Sequence, residues 1–259
     1  LESTYGGKDS NYPPRKVSEQ ELIDFINSVV KDGGKVLLPE LGLGHAQETM
    51  LRVEEAMRSG ELPKVPMYVD GMIWDINAIH TAYPDFLSAR VRNQVFQDQN
   101  PFISDVFTRV GSPHERREVI EGGPCIVIAT SGMLVGGASV EYLKNFAENE
   151  KNLLILSCYQ GPGSVGRQLQ EGAKFVKLED QGMVMNVNVN MQVELVNGLS
   201  PHSGRNELMN YVNNMVPKPK RIIVNHGEIS KSLDLASSLY KANRIETTVP
   251  RGLEVIRLR

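Results

Sequence analysis

Cysteine is almost missing from this chain of 259 residues; there are two, Cys125 and Cys158. Both sit in apolar runs, Cys-Ile-Val-Ile-Ala and Leu-Ile-Leu-Ser-Cys-Tyr. They read as buried strand thiols rather than a disulfide or a metal pair, which fits the reducing cytoplasm. An excess of positive charge is missing too: 28 Lys and Arg stand against 31 Asp and Glu, a formal net charge of −3. A polyanion would therefore have to be held by local donors or a metal rather than by bulk field. No apolar run reaches transmembrane length and no signal peptide appears, so no membrane partner is expected. Histidine is sparse, with five residues, and no His-x-His-x-Asp-His cluster occurs. The chain also opens without Met, inside Leu1-Glu2-Ser3-Thr4-Tyr5-Gly6, and is read as a C-terminal segment of a longer protein.

What is present is a regular alternation. Ser18-Glu19-Gln20-Glu21 reads as a capping box ahead of Leu22, Ile23, Phe25, Ile26, Val29 and Val30 at helical spacing. Short apolar runs follow at Lys35–Pro39, Met67–Val69, Cys125–Thr130 and Leu153–Cys158, with helices expected between them, among them His45–Arg58. Strands that are apolar on both faces, alternating with helices, predict an α/β fold with a parallel sheet covered on both sides. Residues 184–191 alternate apolar and polar, which predicts a half-exposed, antiparallel strand. A domain boundary is expected near Gly198-Leu199-Ser200. Beyond it come a helix over 204–215, a strand over 221–225, a helix over 231–241, and strands over 245–249 and 253–258.

Three separated stretches carry candidate chemistry. His226, in Val224-Asn225-His226-Gly227-Glu228, ends a strand, where an imidazole can serve a metal. His202, in Ser200-Pro201-His202-Ser203, precedes a helix N-terminus, a position suited to phosphate. Glu2 is a carboxylate in a terminal Glu-Ser-Thr-Tyr-Gly. Ser131 and Gly132 end a buried strand beside Gly136-Gly137, so their loop reads either as a phosphate cradle or as a tight turn. Ser203 reads as a phosphate contact or as a helix cap. His45, His80 and His114 are read as structural, and Asp70 and Asp75 as strand-end caps.

Taken together, these stretches resemble the β-CASP branch of the metallo-β-lactamase superfamily, RNA-processing nucleases that include ribonuclease J and the cleavage and polyadenylation specificity factor endonucleases. Glu2 resembles motif A, His202 in Ser-Pro-His-Ser motif B, and His226 in Asn-His-Gly-Glu motif C. Matching segments lie between them in the family's order: 44–48, 70–72, 130–133 and 161–168. Gly71-Met72-Ile73-Trp74 and Ala78-Ile79-His80-Thr81-Ala82-Tyr83 are most similar to archaeal members that carry N-terminal KH domains.

The resemblance implies a Rossmann-like β-CASP domain over 7–199. It also implies the end of the first half of a metallo-β-lactamase αββα domain over 1–6, with that domain's returning segment over 200–259. It implies a zinc-dependent ribonuclease that hydrolyses phosphodiester bonds of single-stranded RNA, of the RNA 3′-end processing or transcription termination type. The activity would be endonucleolytic, with 5′–3′ exonuclease action as a further option. Two Zn2+ ions would serve the complete site, with His226 a ligand and His202 the general acid, oriented by Glu2. This chain holds too few ligands for that pair, so alone it is expected to be inactive. A homodimer through the terminal strand over 253–258 is expected. Two rivals stand: a non-catalytic β-CASP scaffold subunit of an RNA-processing complex, and a plain Rossmann-like nucleotide binder suggested by the β/α alternation.

Overall fold

The computed structural model describes residues 1–180 and 182–258. The chain divides into two compact units, one formed by Leu1–Pro14 with Ser200–Arg259 and the other by Arg15–Leu199.

The larger unit opens with helix α1 (Arg15–Lys31), strand β1 (Val36–Pro39), α2 (His45–Ser59), β2 (Met67–Asp70) and α3 (Ile73–Ala82). A short 3-10 turn at Pro84–Phe86 leads to α4 (Ala89–Phe96), β3 (Phe107–Val110), α5 (Pro113–Glu121) and β4 (Ile126–Ala129). Then come α6 (Ala138–Phe146), β5 (Leu153–Leu156), α7 (Val165–Gln170), β6 (Phe175–Asp180), β7 (Met183–Asn188) and β8 (Gln192–Leu195). Six strands form one sheet in the order β3-β2-β4-β1-β5-β8, and every neighbouring pair in it is parallel. Alternation along each strand feeds two cores. Val36 and Leu38 join Leu22, Ile26, Met50 and Val53 on one face, while Leu37 joins Val127, Leu143, Phe146 and Leu154 on the other. Both cysteines are buried and unpaired, as their runs implied, and burial pushes the Cys125 thiol up to about 11.

Local differences have local causes. α1 begins at Arg15, immediately after Pro13-Pro14, so Ser18 lies inside the helix rather than at its cap. Its hydroxyl is buried without a hydrogen-bond partner, and the helix start is held instead by Arg15, paired with Glu19 and Glu48. β3 is an edge strand whose middle residues, Thr108 and Arg109, are exposed, so it lacks the continuous apolar signature. The 184–191 strand is β7, antiparallel to β6, but Met183 and Val184 are exposed rather than half-buried.

His45 is structural. Its Nδ1 pairs with Glu40, and both side chains are buried; Glu40 also accepts from Thr49 (3.1 Å) and Ser157 (2.9 Å). Burial alone would lower the His45 pKa, but the Glu40 charge and hydrogen bond outweigh it and raise the pKa above the usual value. A raised pKa in the folded state adds stability that is complete below about pH 6.5 and is lost as pH rises through the folded value. Thermal unfolding of the larger unit is therefore expected to fall in temperature from pH 6 towards pH 9, and His45→Gln to flatten that dependence. An unchanged slope in the variant would show that another group is responsible.

The smaller unit contains α8 (Arg205–Asn214), β9 (Arg221–Ile223), α9 (Ile229–Asn243) and β10 (Glu246–Thr248). β10 pairs with β9 in parallel, and Leu1-Glu2 extends the far side of β9 through the Glu2–Asn225 bridge. The core of this unit is Leu208, Val212, Ile222, Val224, Leu235, Ala236, Leu239 and Ile245. The N-terminal arm belongs to this unit as far as Pro14, eight residues beyond the expected boundary after Gly6. Polar clamps on the two helices explain the extension: Lys8 N donates to Asp234 (3.0 Å), Arg205 N donates to Ser10 O (3.2 Å), and the Arg205 guanidinium donates to Gly6 O. Residues 253–258 form no strand, contrary to expectation. Pro250 and Gly252 interrupt the chain after β10, Leu253 turns at φ 63°, and Leu253, Val255 and Leu258 are exposed. The edge on which a homodimer was expected to pair is therefore not a strand. Among the described residues no helix is long and apolar enough to cross a membrane.

Candidate metal centre in the smaller unit

The site begins with backbone. Leu1 N donates to Ile223 O at 2.7 Å and Asn225 N to Leu1 O at 3.0 Å, which brings Glu2 alongside the end of β9. Three residues on, Tyr5 bridges Gly204 at the entry to α8. The segment from Glu2 to Tyr5 is thus held between the two loops that carry the histidines. Gly227 permits this approach: a Cβ there would overlap the Ser3 carbonyl oxygen and stand 2.6 Å from Ser3 Oγ. Just before it, His226 takes the left-handed conformation at φ 56°, an uncommon choice for a non-glycine residue that re-aims the side chain as the strand ends. Ser3 secures the same corner by donating to Asn225 O at 2.7 Å.

The side chains then converge. Glu2 Oε2 lies 3.6 Å from His202 Nδ1 and accepts from Thr4 N at 2.8 Å. The His202 and His226 rings stand 5.3 Å apart. Glu2, His202 and His226 can each supply one donor atom, and those atoms all lie within 4.8 Å of one another. Glu2 Oε1 is buried and has no hydrogen-bond partner, an arrangement that is costly unless a cation or a proton donor joins it. One carboxylate and two imidazoles form a donor set that suits zinc, so these residues fit such an ion.

Thr4 is the residue sequence reasoning passed over. Its hydroxyl lies 3.4 Å from His202 Nδ1, 3.3 Å from His226 Nδ1 and 3.1 Å from His226 O. The signal available was a hydroxyl two residues after the carboxylate, on the same strand-end segment.

The phosphate candidates stand differently. Ser131 and Gly132 belong to the larger unit and its β4–α6 loop. Ser131 Oγ donates to Gly136 O (3.1 Å) and accepts from Val135 N (3.1 Å), so the hydroxyl serves its own turn. Gly132 is buried with its carbonyl accepting from Gln160 (3.0 Å), and a Cβ there would stand 2.8 Å from Cys158 Sγ. Ser203 belongs to the smaller unit and lines a cavity of about 480 Å³ with Glu2, Tyr211 and Ile223. Gly204, not Ser203, occupies the cap position of α8, with Glu207 reaching back to Gly204 N at 2.9 Å.

Asp70 is held by a two-pronged pair with Arg116 (2.7 and 3.0 Å) and by Tyr142 OH (3.0 Å), a structural cluster. The run Gly161-Pro162-Gly163-Ser164-Val165-Gly166 has dinucleotide-fingerprint spacing after β5. Its context is wrong, because α7 has six residues and β6 pairs antiparallel with β7 instead of joining β5. The nucleotide-binder reading loses its support.

Comparison with known proteins adds to this geometry. Residues 46–169 match the model of the Beta-Casp domain, and residues 186–250 match that of the Zn-dependent metallo-hydrolase RNA specificity domain. Similar proteins include the transcription termination factor FttA of Methanothermobacter thermautotrophicus, 48% identical over 260 residues, which covers 100% of this chain and 41% of the relative. The factor of the same name from Thermococcus kodakarensis is 47% identical over 262 residues, 100% of this chain and 40% of its own length. That from Lokiarchaeum is 45% identical over 261 residues, with 100% and 41% covered. The chain thus spans about two fifths of the length of these relatives.

Proposed function

Because the chain belongs to the β-CASP family of the metallo-β-lactamase superfamily, we propose that Glu2, His202 and His226 are its share of a zinc-assisted site that hydrolyses phosphodiester bonds of single-stranded RNA. The observation that carries this reading is the convergence of three donors from distant parts of the sequence within 4.8 Å, with Glu2 Oε1 buried and unpartnered. The name borne by the relatives extends the proposal to a part in transcription termination.

Bound zinc supplies Lewis acidity and lowers the pKa of water. The chain's own residues do the rest. His226 offers a ring nitrogen at the end of β9 and holds the metal. His202 hands a proton to the departing oxygen of the scissile bond. Glu2, 3.6 Å from His202 Nδ1, faces the ring on the side away from that transfer and opposes the positive charge the ring carries before it. Thr4 N fixes the Glu2 carboxylate in turn.

The test uses end-labelled single-stranded RNA with Zn2+, presented to the full-length gene product and to the 259-residue chain alone. The full-length product is expected to cleave, with fragment lengths separating internal cutting from trimming. The chain alone is expected to be inert, since one carboxylate and two histidines are too few donors for two ions. Cleavage by the chain alone that disappears in His226→Ala would refute the second expectation. An intact, zinc-loaded full-length product that cuts no RNA would put the scaffold reading first.

A further inference from the structure

We infer that Thr4 is a positioning residue that fixes the tautomers of both histidines, holding the proton on Nδ1 and the lone pair on Nε2 in each. A threonine hydroxyl has one proton and two lone pairs. Thr4 spends its proton on the backbone carbonyl of His226, at 3.1 Å. Only lone pairs then remain for the two ring nitrogens beside it, His202 Nδ1 at 3.4 Å and His226 Nδ1 at 3.3 Å. A contact between a lone pair and an unprotonated ring nitrogen would be repulsive, so each Nδ1 has to carry hydrogen.

At His202 the same conclusion follows from a second group. The Glu2 Oε2 atom, 3.6 Å from that Nδ1 and already accepting from Thr4 N, is an acceptor there too. The geometry is well enforced, because Thr4 is 5% exposed and its backbone N is tied to Glu2. His226, for its part, is set by the left-handed turn that Gly227 allows. One hydroxyl thereby sets two rings, His202 and His226, that stand 24 residues apart in sequence.

The consequence for function rests on the reading above; the tautomers themselves do not. With Nδ1–H fixed, His226 presents the Nε2 lone pair that a metal requires. His202 has Nε2 as the only ring atom at which a proton can be gained and released. A ring free to choose its tautomer would be competent only part of the time.

The experiment is nitrogen NMR of the two imidazoles in this chain at alkaline pH, where both rings are neutral, for the wild type, Thr4→Val and Thr4→Ser. Both rings are expected as Nδ1–H in the wild type and in Thr4→Ser. Thr4→Val, which keeps the volume and loses the hydroxyl, is expected to move at least one ring to the Nε2–H form. Titration with Zn2+ alone should show binding weakened about 10- to 100-fold in Thr4→Val and restored in Thr4→Ser. Either ring found as Nε2–H in the wild type would overturn the inference without touching the metal reading. Nδ1–H rings in a wild-type chain that takes up no Zn2+ would uphold the inference and count against the metal reading. Should Thr4→Val fail to fold, the wild-type and Thr4→Ser tautomers still decide the matter.

Discussion

If the proposed function holds, replacing His202 with alanine is expected to lower the rate of RNA hydrolysis by the full-length gene product by about 10²–10⁴-fold, the usual contribution of a general acid, and to leave zinc content unchanged. The reason lies in where the ring stands. It is packed 3.6 Å from Glu2 and 3.4 Å from the Thr4 hydroxyl through Nδ1, so one nitrogen is committed to the protein and the other is left for the substrate. Single-turnover cleavage at saturating RNA reads the proton transfer without the binding step, and metal analysis of the same sample reads the ion. Loss of the zinc together with the activity would move His202 from acid to ligand. Such a result would be compatible with its place among the three convergent donors, but it would overturn the division of roles proposed for them.

Gly227→Ala carries the second large effect, and it acts on the fold before it acts on the chemistry. The added methyl overlaps the Ser3 carbonyl oxygen and stands 2.6 Å from Ser3 Oγ and 2.7 Å from the carbonyl carbon. Two of the three Ser3 atoms it meets are backbone, so turning the Ser3 side chain would not relieve the overlap. Overpacking of this kind costs on the order of 3 kcal/mol. For a unit of this size that lowers the melting temperature by roughly 10 °C or more. Because the displaced strand carries Glu2 and Thr4, zinc affinity should fall with stability. Calorimetry is expected to show the transition of the smaller unit moving down, with that of Arg15–Leu199 in place. A variant that melts like the wild type would mean that the Leu1–Tyr5 segment is not anchored through Gly227.

Much of this was legible in the chain. The apolar runs at β1, β4 and β5 are buried on both faces, and β2 is so apart from the half-buried Tyr68, which is why their sequences read as continuous rather than alternating. β3 escaped because an edge strand needs a core on only part of its length, and Thr108 and Arg109 are exposed in it. The terminal stretch over 253–258 misled for the opposite reason: its alternation satisfies a strand pattern, but Pro250 and Gly252 separate it from the sheet edge. Ser18 misled as well, since its spacing to Glu21 imitates a cap while Pro13-Pro14 sets the real start of α1 one turn earlier.

The site was legible by motif and opaque by geometry. Glu2, His202 and His226 each looked ordinary in its own stretch, and each takes its meaning from partners far away in sequence, Glu2 standing 200 residues before His202. Thr4 was invisible because a hydroxyl acquires a role only once two rings are brought to it. Ser131 and Gly132 show the limit from the other side. Their glycine-rich loop has the composition of an anion cradle, whose donors would be backbone N–H groups, while the Ser131 hydroxyl is committed to its own turn.

The central claim, that Glu2, His202 and His226 belong to one metal-assisted site, is tested most directly by locating the metal. Crystals of the full-length gene product soaked in zinc, measured at the zinc absorption edge, should show anomalous density beside His226 and close to the Glu2–His202 pair, and that density should be gone in His226→Ala. Density that persists unchanged in the variant, or that lies away from all three residues, would contradict the account.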